Sequence, residues 1–194
     1  MEAFLISIAV VGIAEIGDKS LFLAILLTVR HQRPWPVFWG LVAGVTANLA
    51  LASVLGATVA QWLQSDWLSW VLGLMFIAMA IWALIPESVK DAEESLRPAE
   101  RQTIFLTAAV GFFLLEMADK TQLATLALAA SFEVVLPVLA GAVLGVILAN
   151  APAIWLGHRF ANRLPLRTLR LVGAGLFALI GAWLLLEAAI QAGS

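Results

Sequence analysis

Two short charged islands interrupt long apolar runs, and they constrain this chain more than any other feature. The first reads Glu15-Ile16-Gly17-Asp18-Lys19-Ser20 and the second Glu116-Met117-Ala118-Asp119-Lys120-Thr121-Gln122. The runs around them are long enough to cross a bilayer, where an uncompensated charge costs about 3 kcal/mol on insertion scales. Charges kept at that cost need a partner or a task.

Hydrophobic residues make up 62% of the chain and charged residues 12%, against about 45–50% and 25% in soluble domains. That balance excludes an ordinary soluble domain and predicts an all-α membrane protein. The apolar runs do not alternate with period two, which argues against a transmembrane barrel. The absence of cysteine rules out disulfides and thiolate ligands, so a metal site would need oxygen ligands or His31 and His158. Both histidines fall in polar connectors, and an oxygen-lined site is expected. With Glu2 in place of a basic segment and a long apolar run behind it, the start of the chain reads as a spanning helix, not a cleavable signal.

At about twenty apolar residues per span, the chain divides into six segments, roughly 3–29, 36–60, 67–86, 102–130, 134–156 and 169–190. The expected organisation is a three-helix unit over 1–86, a solvated cytoplasmic linker over 87–101 and a second three-helix unit over 102–194. The first, third and fifth connectors hold Arg30, Arg33, Lys90, Arg97, Arg101, Arg159, Arg163, Arg167 and Arg170, and the opposite side holds no basic residue. Basic residues mark cytoplasmic loops, so both termini are expected outside the cytoplasm. Asp66, Glu87, Glu133 and Glu187 read as interfacial and solvated.

The halves repeat each other. At an offset of 101 residues Glu15, Asp18 and Lys19 match Glu116, Asp119 and Lys120, and Gly40 and Gly44 match Gly141 and Gly145. At an offset of 100, Gly73 matches Gly173 and Glu87 matches Glu187. Three spans per half is an odd number, so the second copy enters the membrane inverted, an architecture typical of secondary transporters with a site near the midplane. The paired glycines have the small-xxx-small spacing that brings helices close. Asn48 and Asn150 read as interhelical hydrogen bonders, with secondary cation contact as the sharper alternative.

On a continuous helix the third residue after a glutamate lies about 60° to one side of it and the fourth about 40° to the other. Glu15, Asp18 and Lys19 would then share a face, as would Glu116, Asp119 and Lys120. Each island carries one surplus negative charge, and two facing islands carry two. One divalent cation or two protons cancel that surplus. An intrahelical Glu–Lys pair is the structural alternative, but it leaves Asp18 and Asp119 over. The functional reading has Glu15, Asp18, Glu116 and Asp119 converge on a hard divalent cation, with Lys19 and Lys120 trimming excess charge and orienting the acids. Gly17 permits a local break in the first helix; Ala118 should make one less favoured in the second. Ser20, Thr121 and Gln122 are weaker candidates for neutral oxygen ligands, because Ser20 and Thr121 sit about 140° from the glutamate on an unbroken helix. When the cation leaves, desolvation and like-charge repulsion make the emptied carboxylates take up protons. The charge count suggests one divalent ion against two protons.

The doubled Glu-x-Gly-Asp-Lys-Ser/Thr pattern resembles that of the Golgi manganese and calcium homeostasis family of cation/proton antiporters. The second island is similar to that of its bacterial manganese exporters. The resemblance covers essentially the whole chain, with Ala118 as the departure. It implies export of Mn(II) from the cytoplasm, an inner-membrane location and the four acids as cation ligands. It leaves Ca(II) as an alternative cargo. A passive cation channel, an exporter of cationic organic solutes and a non-transporting scaffold are the other readings. No nucleotide-binding loop is evident, so ATP-driven pumping within this chain is not expected. Neither an enzymatic activity nor a nucleic-acid partner is expected; divalent ions and membrane lipids are the expected partners, with room for a homo-oligomer.

Overall fold

The computed structural model describes residues 1–62, 65–85, 103–156 and 166–192. All regular structure among them is helical. Helix α1 runs Glu2–Glu15, α2 Lys19–His31, α3 Pro34–Trp62, α4 Ser65–Trp82, α5 Ile104–Leu115, α6 Lys120–Phe132, α7 Leu136–Leu156 and α8 Leu166–Ala192. The stretches Pro34–Trp62, Leu136–Leu156 and Arg170–Ala192 are long and apolar enough to cross a membrane, and Trp67–Trp82 and Ile104–Leu115 are shorter apolar helices. The linker over 87–101, with Glu87, Lys90, Arg97 and Arg101, lies outside the described residues, as do His158, Arg159 and Arg163.

Large apolar side chains cover the outside. Leu179, Trp183 and Ile190 are each more than 70% exposed, a surface that only a nonpolar surrounding tolerates over a wide area. Trp35, Phe38 and Trp155 join the start of α3 to the end of α7, with Trp35 and Trp155 edge to face at 5.5 Å. Aromatic rings of this kind collect at membrane–water boundaries.

The expected first and fourth segments are each interrupted at the charged island. Gly17 and Ala118 both adopt left-handed backbone, with φ 83° and 57°. Gln32 and Glu133, which close α2 and α6, do the same at φ 52° and 54°. In both pairs the two members are 101 residues apart, the spacing of the sequence repeat. The expectation that Ala118 would disfavour a break is therefore corrected: the second segment breaks at the matching place.

The glycines bring the helices together as their spacing predicts. Helix α3 lies against α5, with Gly40 and Gly44 facing the backbone of Phe105 and Ala109. Helix α7 lies against α1 in the same manner, with Gly141 and Gly145 facing Phe4, Ile8 and Gly12. Each crossing joins one half of the chain to the other. Helices α4 and α8 meet through Gly73 and Gly181, beside the Phe76–Phe177 contact. Gly73 thus packs on Gly181, while Gly173 lies near Ile13 and Ala14 of α1.

A side chain at Gly44 would collide with the Ala109 carbonyl, whereas Gly175 has open space around it. Gly44→Leu should cost about 1–3 kcal/mol or more through overpacking, and Gly175→Ala should be neutral or mildly stabilising. Thermal unfolding in detergent checks both; equal midpoints for the two variants would show that the α3–α5 approach is not tight.

A candidate ion site at two helix breaks

Each element of the island has a defined local role. Helix α1 ends on Glu15, Ile16 is extended, Gly17 turns left-handed, and Asp18 opens α2 as its N-cap. The Asp18 carboxylate accepts the Lys19 backbone N–H at 2.9 Å. In the second island Glu116 closes α5, Ala118 turns left-handed, and Asp119 caps α6 by accepting the Lys120 N–H at 2.6 Å. Aspartate is among the favoured N-cap residues, and its charge is stabilised by the helix dipole there. Gln122 supports the second break, its Oε1 accepting the strained Ala118 N–H at 2.6 Å.

Because both helices break, a shared helical face no longer describes the islands. The break folds Ser20 and Thr121 back onto the acids that precede them. Ser20 Oγ donates to Glu15 Oε1, and Thr121 Oγ1 donates to Glu116 Oε2 at 2.5 Å. Their expected remoteness from the glutamates is overturned: it assumed an unbroken helix, and the interruption removes the 140° between them.

The lysines reach across rather than along. Lys120 Nζ stands 2.7 Å from Asp18 Oδ1, and Lys19 Nζ stands 3.1 Å from Asp119 Oδ2. These crossed ion pairs tie the N-cap of each second half-helix to the lysine that begins the other. All four acids are at most 1% exposed. Lys120 is also buried, while Lys19 keeps partial exposure.

The asparagines complete the surroundings asymmetrically. Asn150 of α7 donates to Glu15 Oε1 at 2.9 Å and to the Val146 carbonyl at 3.2 Å. Asn48 of α3 donates to the Phe113 carbonyl at 3.1 Å, so its hydrogen bond is to backbone. Several buried oxygens have no donor: Glu15 Oε2, Asp18 Oδ2, Glu116 Oε1 and the amide oxygens of Asn48 and Asn150. Buried acceptors without donors are costly, and water, a proton or a cation can each satisfy such an oxygen.

The islands meet, but not as a ready cage. Among the described residues no three acid or imidazole side chains are gathered so as to hold a metal ion. Each of the two aspartates is engaged by an ammonium group in this arrangement. His31 ends α2, and Glu133 and Glu187 are exposed as expected of interfacial groups. One neighbour read from the sequence only as a basic connector residue: Arg170, from the start of α8, lines a narrow cleft that also contains Gly17, Asp18 and Lys120.

The family model described as Divalent cation/proton antiporter GDT1 matches residues 3–91 and 104–192, two stretches that begin 101 residues apart. The chain is 41% identical over 181 residues to a Vibrio cholerae protein named "Putative manganese exporter", covering 93% of this chain and 88% of that protein. A GDT1-like protein of Synechocystis is 29% identical over 204 residues, covering 94% and 98%. The Saccharomyces cerevisiae protein named "Divalent cation/proton antiporter GDT1" is 23% identical over 228 residues, covering 91% and 81%. No solved structure matches the chain.

Left-handed backbone costs a non-glycine residue about 1–2 kcal/mol. Ala118→Gly should therefore raise the thermal midpoint of the purified protein, and Gly17→Ala should lower it. If Ala118→Gly lowers the midpoint instead, the left-handed turn at the second island is wrong.

Proposed function

We propose that this chain, which belongs to the GDT1 family of divalent cation/proton antiporters, exports Mn(II) from the cytoplasm in exchange for protons. Cation transport follows from the family, whose members are transporters and not enzymes. The choice of Mn(II) is supported by the name of the Vibrio cholerae relative and by an all-oxygen donor set, which suits Mn(II) and Ca(II) better than Zn(II) or Cu(II). Ca(II) is the second reading, since hard oxygen ligands serve it as well.

The observation that carries the mechanism is the set of donor-less carboxylate oxygens, Glu15 Oε2, Asp18 Oδ2 and Glu116 Oε1, buried together with two crossed ammonium–aspartate pairs. Four carboxylates against two ammonium groups leave a formal surplus of two negative charges. Glu15, Asp18, Glu116 and Asp119 are the proposed ligands, with Lys19 and Lys120 setting the charge. Ser20, Thr121 and Asn150 fix the glutamates, while Asn48 and Gln122 hold nearby backbone. One divalent ion or two protons neutralise the surplus, so the empty site returns across the membrane only when protonated. The exchange is then electroneutral, one ion for two protons.

The architecture proposed for this exchange is six spans in two inverted repeats, 1–86 and 102–194, joined by the linker over 87–101. Helices α1 with α2, and α5 with α6, each act as one interrupted span, since α1 at 14 residues rises only about 21 Å against a hydrocarbon core of about 30 Å. Supporting this are the matching breaks, the reciprocal α3–α5 and α7–α1 crossings and the 101-residue spacing of the two family matches. The distribution of basic residues favours both termini on the outer face of a bacterial inner membrane.

The direct test is Mn(II) uptake into proteoliposomes under an imposed proton gradient. Mn(II) flux should follow the gradient, with a reversal point that fits one ion for two protons and does not shift with membrane potential. Glu15→Gln, Asp18→Asn, Glu116→Gln and Asp119→Asn should each reduce it about tenfold or more, the loss expected from one charge-assisted contact. Flux indifferent to the proton gradient would leave a passive channel in place of an antiporter.

A further inference from the structure

Divalent-ion exchange accounts for the four acids but leaves open why each aspartate is held by a lysine from the other half. The Asp18–Lys120 pair has a second distinguishing feature. It lines the cleft formed by the α1–α2 break, Ala83 just beyond the end of α4, and Arg170 and Gly173 in the first part of α8. Arg170 belongs to the basic-residue end of the chain's spans, so the cleft, which has room for about one water molecule, lies toward the side proposed as cytoplasmic. Within it, Lys120 Nζ occupies Asp18 Oδ1 while Asp18 Oδ2 has no donor, and Lys120 itself is almost fully buried.

Resting on the exchange reading above, we propose that Lys120 is a built-in counter-ion: its ammonium holds Asp18 until a divalent cation entering by this cleft displaces it. An ammonium has no lone pair, so it cannot join the ligand set; it can only compete for the same oxygen. A point charge on a flexible four-carbon stem is suited to that, since it moves aside without rearranging backbone. The consequence is a site that binds its cargo more weakly than four bare carboxylates would. Release on the far side is then possible, because the displaced ammonium returns to Asp18 as the ion departs.

The test uses the full-length protein in lipid nanodiscs at one fixed pH, with Mn(II) as the probe and free Mn(II) read by its electron paramagnetic resonance signal. Lys120→Gln should bind Mn(II) about tenfold or more tightly than the native chain, the size of effect expected when a charge-assisted hydrogen bond stops competing. Lys120→Arg, which keeps the charge, should show no such gain. A second measurement needs no variant: acylation of the native Lys120 amine by a small reagent, read by peptide mass, should rise several-fold when Mn(II) is added. That measurement decides alone should Lys120→Gln not fold. Native protein that binds Mn(II) while Lys120→Gln gains no affinity, or while Lys120 labelling stays unchanged, overturns the counter-ion role and leaves the exchange reading intact. Native protein that binds no Mn(II) at all overturns both.

Discussion

Charge removed from water has to be answered by whatever lies within a few ångströms. Here four carboxylates and the Lys120 ammonium are enclosed among apolar helices, with Lys19 partly exposed, and the answer given to each differs. The aspartates receive a helix N-terminus and an ammonium. The glutamates receive a hydroxyl, and Glu15 also an amide. None of these groups is a full neutraliser for all the oxygens present. A buried ion pair by itself confers no assured stability, while removing one member of it is costly. Several of the site's buried oxygens are left without a hydrogen-bond donor.

Breaking the helices is what makes this arrangement possible. In a continuous helix every backbone N–H is used internally, and an aspartate in mid-span would have no backbone donor to accept from. Interruption exposes the first N–H groups of α2 and α6, and places on them the residue type best suited to cap them. It also lets Ser20 and Thr121 fold back to the glutamates that precede them. The crossed pairs then couple the halves of the chain: any movement separating the start of α2 from the start of α6 strains both lysine–aspartate contacts together. The two crossed pairs are themselves what the structure shows between the starts of α2 and α6.

Much of this was legible in the residues. Long apolar runs bounded the helical stretches to within a few residues, although two of the six are each broken into two helices, and glycine pairs at a four-residue interval gave the close crossings. Glu15, Asp18, Glu116 and Asp119 were singled out by the cost of their position, and all four are buried. Other readings failed for an identifiable reason. Placing Ser20 and Thr121 away from the glutamates followed from helical periodicity, which applies only while the helix continues. Reading Ala118 as an obstacle followed from backbone preference, a bias of about 1–2 kcal/mol that the Asp119 cap and the Gln122 contact to the Ala118 N–H oppose. Local propensity is a weak guide where tertiary contacts reward the disfavoured conformation.

What the chain determined by itself was the solvent it requires, the twofold internal pattern and the identity of the charges that must be buried. These follow from composition and spacing, because hydrophobicity and the count of acidic against basic groups do not depend on how the helices are arranged. Only the tertiary structure decided which lysine meets which aspartate, that Asn150 reaches Glu15 while Asn48 turns to backbone, and that Arg170 stands beside the cleft. Those are contacts between residues far apart in the chain, and they depend on helix crossings and on the direction of each side chain after a break, neither of which has a periodic signature.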